Sequence, residues 1–277
     1  MSKDFFAKLL ELSSKDEPFA VATVIQIEGS ASAKPGSKTI IDASGKTVFG
    51  WVGGGCAESA VRQEAVESLK DGQTRIITLD LTDEVLGVGM PCGGVMKIYI
   101  EPFLPKPELL IVGRGRIAET LAQLGHLMNF SVTVNDPGAT KEAFPTADRV
   151  ITTDLGFSEM PVGSNTYVVI ATQHKGDHLS MKKAIEGQAA YIALIASQKR
   201  SQLVFDYLLA AGVPHEELAR VRAPAGLDIS ATTPEEIALS IMSEVVAVRR
   251  GGSGRPMLEA KGMKLTESEQ WSVNSGQ

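Results

Sequence analysis

The first hundred residues of the chain contain both the hydrophobic spacing of helices and that of strands. Phe5–Leu12 and Ala57–Lys70 carry apolar residues at the i, i+3 and i+4 spacing that predicts helices. Runs rich in β-branched residues predict strands at Phe19–Ile27, Lys38–Asp42, Lys46–Trp51, Thr74–Leu81 and Val95–Glu101. Since Ala-Ser-Gly alone separates the second of these strands from the third, the two predict a hairpin. The pattern is typical of a mixed α+β domain.

The second half of the chain alternates strands and helices more regularly. Short apolar runs predict strands at Leu109–Val112, Ser131–Asn135, Arg149–Thr153, Tyr167–Thr172 and Tyr191–Ala196. Helical spacing fills most of the gaps, at Ile117–Met128, His178–Ile185, Gln202–Ala211 and Glu235–Arg249. Such alternation predicts a parallel sheet with helices on both faces. The last helix opens with Thr233-Pro-Glu-Glu236, which predicts a capping box.

The predicted fold class is therefore α/β, with an N-terminal mixed α+β domain followed by a Rossmann-like, doubly wound parallel-sheet domain. Pro102, Pro105 and Pro107 interrupt the chain within six residues, and we place the boundary there. The predicted domains are residues 1–104 and 105–250. Residues 251–277 lose hydrophobic periodicity and are expected to form a flexible tail.

Composition and charge exclude several classes of partner. The 277 residues are 43% hydrophobic and 22% charged, which is typical of a soluble globular protein. The formal net charge of −6 argues against nucleic acid, because phosphate binding needs a basic face. The apolar runs are far shorter than the roughly 20 residues of a membrane span, and the N-terminus lacks a signal-peptide cleavage site. Two cysteines require no disulfide framework, so we expect a cytoplasmic protein.

A dinucleotide-binding signature follows the first strand of the second half. Gly113, Gly115 and Ala118 match G-x-G-x-x-[GA], in which the glycines form a tight turn and let a pyrophosphate approach the helix N-terminus. Arg114 and Arg116 are bulky where the phosphate would approach, although they could also clamp it. Asp136 follows the next strand at the offset of a ribose-binding acid, although it could instead cap a turn. The signature predicts Rossmann topology and leaves NAD(P) binding open, because topology does not fix the ligand.

A polar loop follows a later strand, at the end where open α/β sheets bind ligands. It carries His174, Asp177 and His178, which could serve as metal ligands or as a proton relay. We favour the interpretation that Asp177 N-caps the next helix, because zinc sites normally take three or four protein ligands. His174 and Asp177 remain candidates for lining a cofactor pocket.

Glycine and cysteine coincide in two loops of the first half. Gly53-Gly54-Gly55-Cys56 precedes a predicted helix, where bare N–H groups favour an anion and a cysteine is expected to ionise easily. Glu58 falls in the first turn of that helix, where a carboxylate stabilises the dipole. The second loop holds Cys92 before Gly93 and Gly94. Each cysteine alone could be a small buried hydrophobe, but together the loops favour one shared site.

These residues, in order, resemble the XdhC/CoxI family. The resemblance rests on Gly29-Ser30, Pro35-Gly36, Gly54-Gly-Cys-Ala-Glu58 and Cys92-Gly-Gly94 in the first half. In the second half it rests on Gly113-Arg-Gly115, Asp136, the His174–Asp177 loop, Tyr191–Ser197 with Lys199-Arg200, and the long run Ala223–Ile241. It covers most of residues 5–250.

The resemblance implies a maturation factor for molybdenum hydroxylases of the xanthine dehydrogenase or carbon monoxide dehydrogenase type. Members are thought to bind the molybdenum cofactor, protect it while a cysteine desulfurase helps to install its sulfido ligand, and deliver it to the apoenzyme. The cofactor is a pterin with a phosphate tail, sometimes extended to a dinucleotide. The phosphate turn would suit the tail, and Cys56 or Cys92 would lie near the molybdenum because thiolates are soft donors.

Three functions remain open on the sequence alone. The first is a chaperone that is more a carrier than a catalyst. In this hypothesis its cofactor ligand bridges the two halves of the chain. The second is an NAD(P)-dependent oxidoreductase, and the third is an interaction scaffold without a ligand. We also expect a homodimer, because two-fold pairing is the commonest homo-oligomer.

Overall fold

The computed structural model describes residues 3–15, 17–80, 94–172 and 176–262. The chain divides into two compact units, Met1–Lys106 and Pro107–Gln277. None of the helices within the described ranges is long and apolar enough to cross a membrane.

The first unit is an antiparallel sheet between two helices. Its elements are α1 (Lys3–Ser14), β1 (Phe19–Gly29), β2 (Lys38–Asp42), β3 (Thr47–Gly50), α2 (Cys56–Asp71), β4 (Arg75–Asp80) and β5 (Gly94–Phe103). The strand order is β3-β2-β1-β5-β4. Alternate residues of β1 face opposite sides, so Ala20 and Ala22 pack in the core with α2 while Phe19 and Val21 pack with α1.

The second unit is a parallel sheet. It begins with β6 (Glu108–Gly113), α3 (Arg116–Leu127), β7 (Ser131–Asn135), β8 (Arg149–Ile151), β9 (Thr166–Ala171) and α4 (Asp177–Glu186). It continues with β10 (Tyr191–Leu194), α5 (Gln198–Ala210), α6 (His215–Leu218), β11 (Val221–Arg222), α7 (Pro234–Arg250) and α8 (Met257–Ala260).

The strands of this sheet follow the order β11-β10-β9-β6-β7-β8, with every pair parallel. This is the order of the dinucleotide-binding fold, in which the chain reverses its direction of travel across the sheet between β6 and β9. Leu109 and Ile111 enter the core shared with α3 and α7, whereas Leu110 and Val112 enter the core on the side of α4 and α5. Both faces are therefore covered.

The predicted fold class is confirmed, and the long elements lie within a few residues of their predicted bounds. The predicted hairpin is present, because β2 pairs with β3 in antiparallel register. The sequence did not predict α6, β11 or α8, since elements of two to four residues are too short to show a period. The last of these falls inside the region expected to be a tail, and residues 263–277 of that region lie outside the described residues.

The predicted capping box at the start of α7 is confirmed. The hydroxyl of Thr233 accepts a hydrogen bond from the Glu236 backbone N–H at 3.2 Å, and the Glu236 carboxylate accepts one from the Thr233 N–H at 2.9 Å. These two bonds satisfy donors that the helix itself cannot pair. Hydrogen bonds from the backbone lower the pKa of Glu236 to about 2, so its carboxylate is ionised at neutral pH.

We expect the variant Thr233→Ala to lower the free energy of unfolding by about 1 kcal/mol, because the cap hydroxyl is lost. Urea denaturation followed by circular dichroism measures the change. Ser243→Ala, at a partly buried position of the same helix, is the control and should leave stability nearly unchanged, since the Ser243 hydroxyl donates to the Leu239 carbonyl within the helix. Equal effects of both variants would contradict the capping role.

Candidate functional site

The glycine run of the first unit leads directly into α2, which begins at Cys56, one residue before its predicted start. Gly53 and Gly55 have positive φ values of 133° and 58°, a backbone region that favours glycine. Gly54 has no positive φ, and no described atom lies within 4 Å of the point where its Cβ would be. Neither backbone conformation nor packing against the described residues therefore requires glycine at position 54. Open space beside a helix N-terminus is what an approaching anion would need.

Glu58 lies in the first turn of α2, as predicted, but its carboxylate has a structural partner. It accepts a hydrogen bond of 2.8 Å from the hydroxyl of Thr47 on β3. The bond ties the start of α2 to the hairpin. A direct contact of Glu58 with a ligand stays a prediction.

The second glycine and cysteine loop is described only at its end. Cys92 and Gly93 lie outside the described residues, so a thiol site shared with Cys56 stays a prediction. Gly94 begins β5, and a Cβ there would lie 2.5 Å from the carbonyl oxygen of Ser30 and 2.7 Å from that of Glu28. The neighbouring backbone thus accounts for this glycine without a ligand.

The dinucleotide signature folds into the strand, turn and helix that the sequence predicts. Strand β6 ends at Gly113, and Gly115 is the N-cap of α3 with φ 102°. A Cβ on Gly113 would overlap the carbonyl of Ala171 at the end of β9. Gly113 is therefore required by close strand packing, whereas the turn at Gly115 presents the N-terminus of α3 for a phosphate.

The two arginines of this turn already have carboxylate partners. Arg116 donates from Nε to Glu235 Oε1 at 2.7 Å, and this bond raises the pKa of Arg116 and lowers that of Glu235. Arg114 Nε lies 3.6 Å from Asp136 Oδ1. A phosphate clamp formed by Arg116 would have to compete with Glu235, so that role stays a prediction.

Asp136 has one of the two roles that the sequence left open. Its Oδ1 accepts a hydrogen bond of 2.8 Å from the backbone N–H of Gly138, which confirms that it caps a turn. It also lines a cavity, and a Cβ on Gly138 would overlap the guanidinium of Arg114. Ribose binding by Asp136 stays a prediction.

A cavity of about 480 Å³ opens beyond the carboxyl ends of β6, β7 and β9, beside the point where the strand order reverses. This is where open α/β sheets bind ligands. Its walls combine apolar side chains with several polar groups. The lining residues are Val112, Arg114, Asn135, Asp136, Pro137, Gly138, Asp154, Leu155, Phe157, Thr172, Gly176, His178 and Leu179.

Asn135 and Asp154 form a buried polar pair in this wall. Burial alone would raise the pKa of Asp154, but the N–H groups of Glu159 and Ser158, each at 2.8 Å, and the Asn135 amide hold it below its usual value. Asn135 is 1% exposed and donates from Nδ2 to Asp154 Oδ2 at 3.1 Å. Its Oδ1 has no hydrogen-bond partner among the described residues. An unpaired buried oxygen costs roughly 1–3 kcal/mol and calls for a specific explanation.

The prediction that Asp177 N-caps α4 is wrong. The N-cap is Gly176, with φ 86°, and Asp177 is the first residue of the helix. Its carboxylate turns inward, is 4% exposed, and accepts hydrogen bonds from the Thr172 hydroxyl and from Arg200, whose Nε lies 2.7 Å away. A partly buried cation on α5 therefore pairs with the carboxylate that a local cap would have used.

The metal interpretation of this loop gains no support in the described ranges. They contain no group of three or more His, Cys, Asp or Glu side chains placed to hold a metal ion. His174 lies outside the described residues. His178 lines the cavity and packs edge-to-face against Tyr207 at 4.4 Å between ring centroids.

The pair of Asp177 and Arg200 depends on direct contact. Burial raises the pKa of Asp177, while the Thr172 hydroxyl and the charge of His178 oppose that rise. Burial also lowers the pKa of Arg200. Each charge is thus unfavourable alone, and the contact between them offsets the cost of removing both from water.

The sequence argument missed Asn135, Asp154 and Phe157 as lining residues. A signal for the first was available, because Asn135 is the last residue of its strand and directly precedes Asp136. Asp154 and Phe157 come from the irregular segment after β8, where no period marks a position as inward-facing.

Two family models match most of the chain. Residues 12–80 match the model of the XdhC and CoxI family, and residues 109–245 match the model of the XdhC Rossmann domain. The second match confirms the Rossmann assignment of the second unit.

Several known proteins are similar to this chain. The protein YqeB of Escherichia coli (strain K12) is 28% identical over 92% of this chain, which spans 48% of the length of YqeB. A protein of Bacillus subtilis (strain 168) that is named as a probable xanthine dehydrogenase component is 25% identical, over 89% of this chain and 98% of that protein. The "Molybdenum cofactor insertion chaperone PaoD" of Escherichia coli (strain K12) is 24% identical, over 83% of each.

Among solved structures, a xanthine dehydrogenase from Bacillus halodurans matches 91% of this chain and 98% of its own, with a TM-score of 0.48 and 21% identity.

We expect Arg200→Met to lower the free energy of unfolding by roughly 3 kcal/mol, because it leaves the carboxylate of Asp177 buried without its cation. This is the low end for a buried pair, since Arg200 keeps 17% of its side chain exposed. Urea denaturation measures the loss, and the double variant with Asp177→Asn should lose less than Arg200→Met alone.

The matched control for this pair is Lys182→Met on α4. Lys182 pairs with Glu186 at 3.9 Å on the surface, where such pairs contribute about 0–1 kcal/mol. A loss in Arg200→Met no larger than in this control would show that the buried pair contributes little.

Proposed function

Since the chain belongs to the XdhC and CoxI family, we propose that it is a maturation factor that binds the molybdenum cofactor and assists its insertion into a molybdenum hydroxylase. The cofactor in this proposal is cargo, held for transfer and not used for catalysis. Two relatives support the role through their names, one as a molybdenum cofactor insertion chaperone and one as a probable xanthine dehydrogenase component.

The observation that carries the proposal in this chain is the open space at Gly54. Glycine there is required neither by a positive φ nor by the packing of any described atom. The residue precedes a helix that begins at Cys56, so N–H groups and a thiol-bearing residue occupy the same turn. Such a turn suits a polar ligand with a metal that prefers soft donors.

The proposed ligand residues are given for each unit by itself. In the first unit, Gly53, Gly54, Gly55 and Cys56 take the metal end, with Cys92 and Gly93 as further candidates. In the second unit, the turn of Gly113 and Gly115 takes a phosphate group at the N-terminus of α3.

The proposed partners follow from the role. An apo molybdenum hydroxylase would receive the cofactor, and a cysteine desulfurase would supply sulfur while the cofactor is held. We also propose a homodimer, which size-exclusion chromatography with light scattering would measure.

We expect the protein, purified without oxygen from cells that make the cofactor, to release a pterin that becomes fluorescent on oxidation. Gly54→Val should reduce the released pterin at least about 10-fold while leaving thermal stability unchanged, because the side chain would fill ligand space. Cys56→Ser should also reduce it, since a hydroxyl is a poorer ligand for a soft metal.

The control is Gly163→Val. Gly163 also has no positive φ and no described atom within 4 Å of its Cβ position, but it lies far along the chain from the glycine and cysteine loop. It should retain the pterin. Wild-type protein without any pterin would contradict the proposal.

A second candidate function is that of an NAD(P)-dependent oxidoreductase. The specific observation in its favour is that Asp136 and the turn of Gly113 and Gly115 border the same end of a sheet with the dinucleotide-binding strand order. Among the described residues we assign no acid or base that would exchange a proton with a substrate during hydride transfer. We therefore rank this function second.

The oxidoreductase candidate predicts NADH or NADPH binding in the micromolar range, followed by the fluorescence of the reduced nicotinamide. Asp136→Ala should weaken that binding at least about 10-fold, because a ribose hydroxyl loses its acceptor. Asp206→Ala, an exposed carboxylate on α5, should not. Flat titrations of the wild type would eliminate this function.

A further inference from the structure

The first helix, α1, has an apolar flank in addition to the one that it buries against the sheet. Phe5 and Leu12 are buried in the core with β1. The helical period turns Phe6 and Leu10 to a different side, where they are 54% and 72% exposed. A surface helix normally carries polar residues wherever it does not face the core. The exposed apolar flank of α1 therefore indicates a binding surface.

This flank borders a groove of the first unit. A cavity of about 630 Å³ lies between α1 and the end of β5, with Phe6 and Leu10 on one side and Phe103 and Leu104 on the other. The ring of Phe103 stacks on that of Phe19 at 4.9 Å between centroids, which fixes the side of the groove formed by β5. The groove is thus apolar on both sides, as a site for a partner helix must be.

The apolar area of the groove is suitable for a protein interface. Phe6, Leu10, Phe103 and Leu104 are all exposed, and at ordinary side-chain sizes they present roughly 400 Å² of apolar surface. A standard interface covers about 800 Å² on each partner, and slightly more than half of that area is apolar. The groove and the polar groups around it therefore match one side of a standard interface.

The paired charges of α1 lie away from this flank. Glu11 binds both Lys8, at 2.9 Å, and Lys15, at 2.8 Å, on the far side of the helix from Leu10. The exposed flank itself is uncharged from Phe6 to Ser14, and charge occurs at its ends. Lys3 stands seven residues before Leu10, and Glu17, which lines the groove, stands seven residues after it.

This distribution of charge is complementary to itself when the helix is reversed end for end. In an antiparallel pair of α1 helices centred on Leu10, Lys3 of one copy faces Glu17 of the other. Phe6 and Ser14 are each four residues from the centre, so a large side chain meets a small one. Two-fold symmetry makes each of these contacts twice. Complementary charge and volume favour a second copy of the chain over an unrelated helix.

We propose that the groove binds α1 of a second copy of this chain, in an antiparallel two-fold pair centred on Leu10. Each helix lies in the groove of the other copy, and Lys3 pairs with Glu17 at both ends. The inference rests on the proposed homodimer and names the surface that forms it. The glycine and cysteine loop does not line the groove, so dimer formation and pterin retention can be measured separately.

The test is sedimentation equilibrium of the full chain between about 1 and 100 µM. We expect Leu10→Glu to raise the dissociation constant of the dimer at least about 10-fold, because two like charges would face each other at the two-fold axis. Leu127→Glu is the matched control, since Leu127 is 78% exposed on α3 and does not line the groove. It should leave the dissociation constant unchanged. Thermal unfolding checks that both variants fold.

Charge reversal tests the antiparallel register. Lys3→Glu and Glu17→Lys each place like charges together at both ends of the helix pair, and each should raise the dissociation constant at least about 5-fold at low salt. The double variant exchanges the two charges and should bind as tightly as the wild type. A double variant that stays as weak as either single variant overturns the proposed pairing. If Leu10→Glu fails to fold, this series still decides.

The outcomes separate this inference from the proposed function. A dimer that Leu10→Glu leaves intact keeps the proposed homodimer and overturns this surface. A wild type that stays monomeric at about 100 µM contradicts both. Absence of pterin from a dimeric wild type contradicts the cofactor proposal alone and leaves this inference standing.

Discussion

The close contact between Gly113 and the carbonyl of Ala171 is the constraint on which the second unit depends. Strand β6 pairs with β7 on one side and β9 on the other, and the chain changes its direction across the sheet at this pair. A side chain on Gly113 would push β9 away, because its Cβ would overlap that carbonyl. With the strands held together, their carboxyl ends diverge into the helices of opposite faces and leave the cavity between them.

The two acidic side chains that line this cavity and the neighbouring Asp177 are fixed by partners of different kinds. Asp136 holds a turn through the N–H of Gly138, Asp154 accepts two backbone N–H groups, and Asp177 pairs with Arg200. Because these bonds position the carboxylates, Asp136 and Asp154 hold fixed places in the cavity wall. The amide oxygen of Asn135 differs from them in having a bonding capacity that no described residue uses.

Hydrophobic periods predicted most of the fold, and the same periods could not predict the site. The parallel sheet, the hairpin and the capping box each leave a local signal, because every signal involves residues within one element or one turn. Arg200 and Asp177 are 23 positions apart, so no local pattern indicates their contact. The sequence therefore predicted a helix cap for Asp177, and the pairing follows only from the position of α5 beside α4 in the fold. Gly94 and Gly113 looked like ligand positions, yet the structure explains both through the neighbouring backbone. Conversely, Gly54 gave no distinct signal among three glycines, since the open space beside it depends on how the turn folds.

The glycines of this protein therefore fall into two kinds with different evolutionary prospects. Close packing between β6 and β9 requires glycine at position 113, so we expect relatives with the same packing to keep it. Nothing in the described structure requires glycine at position 54. Under the proposed function, a lineage that no longer binds the cofactor would accumulate larger residues at position 54, while position 113 stayed glycine. Substitutions at position 54 would then show which relatives still bind it.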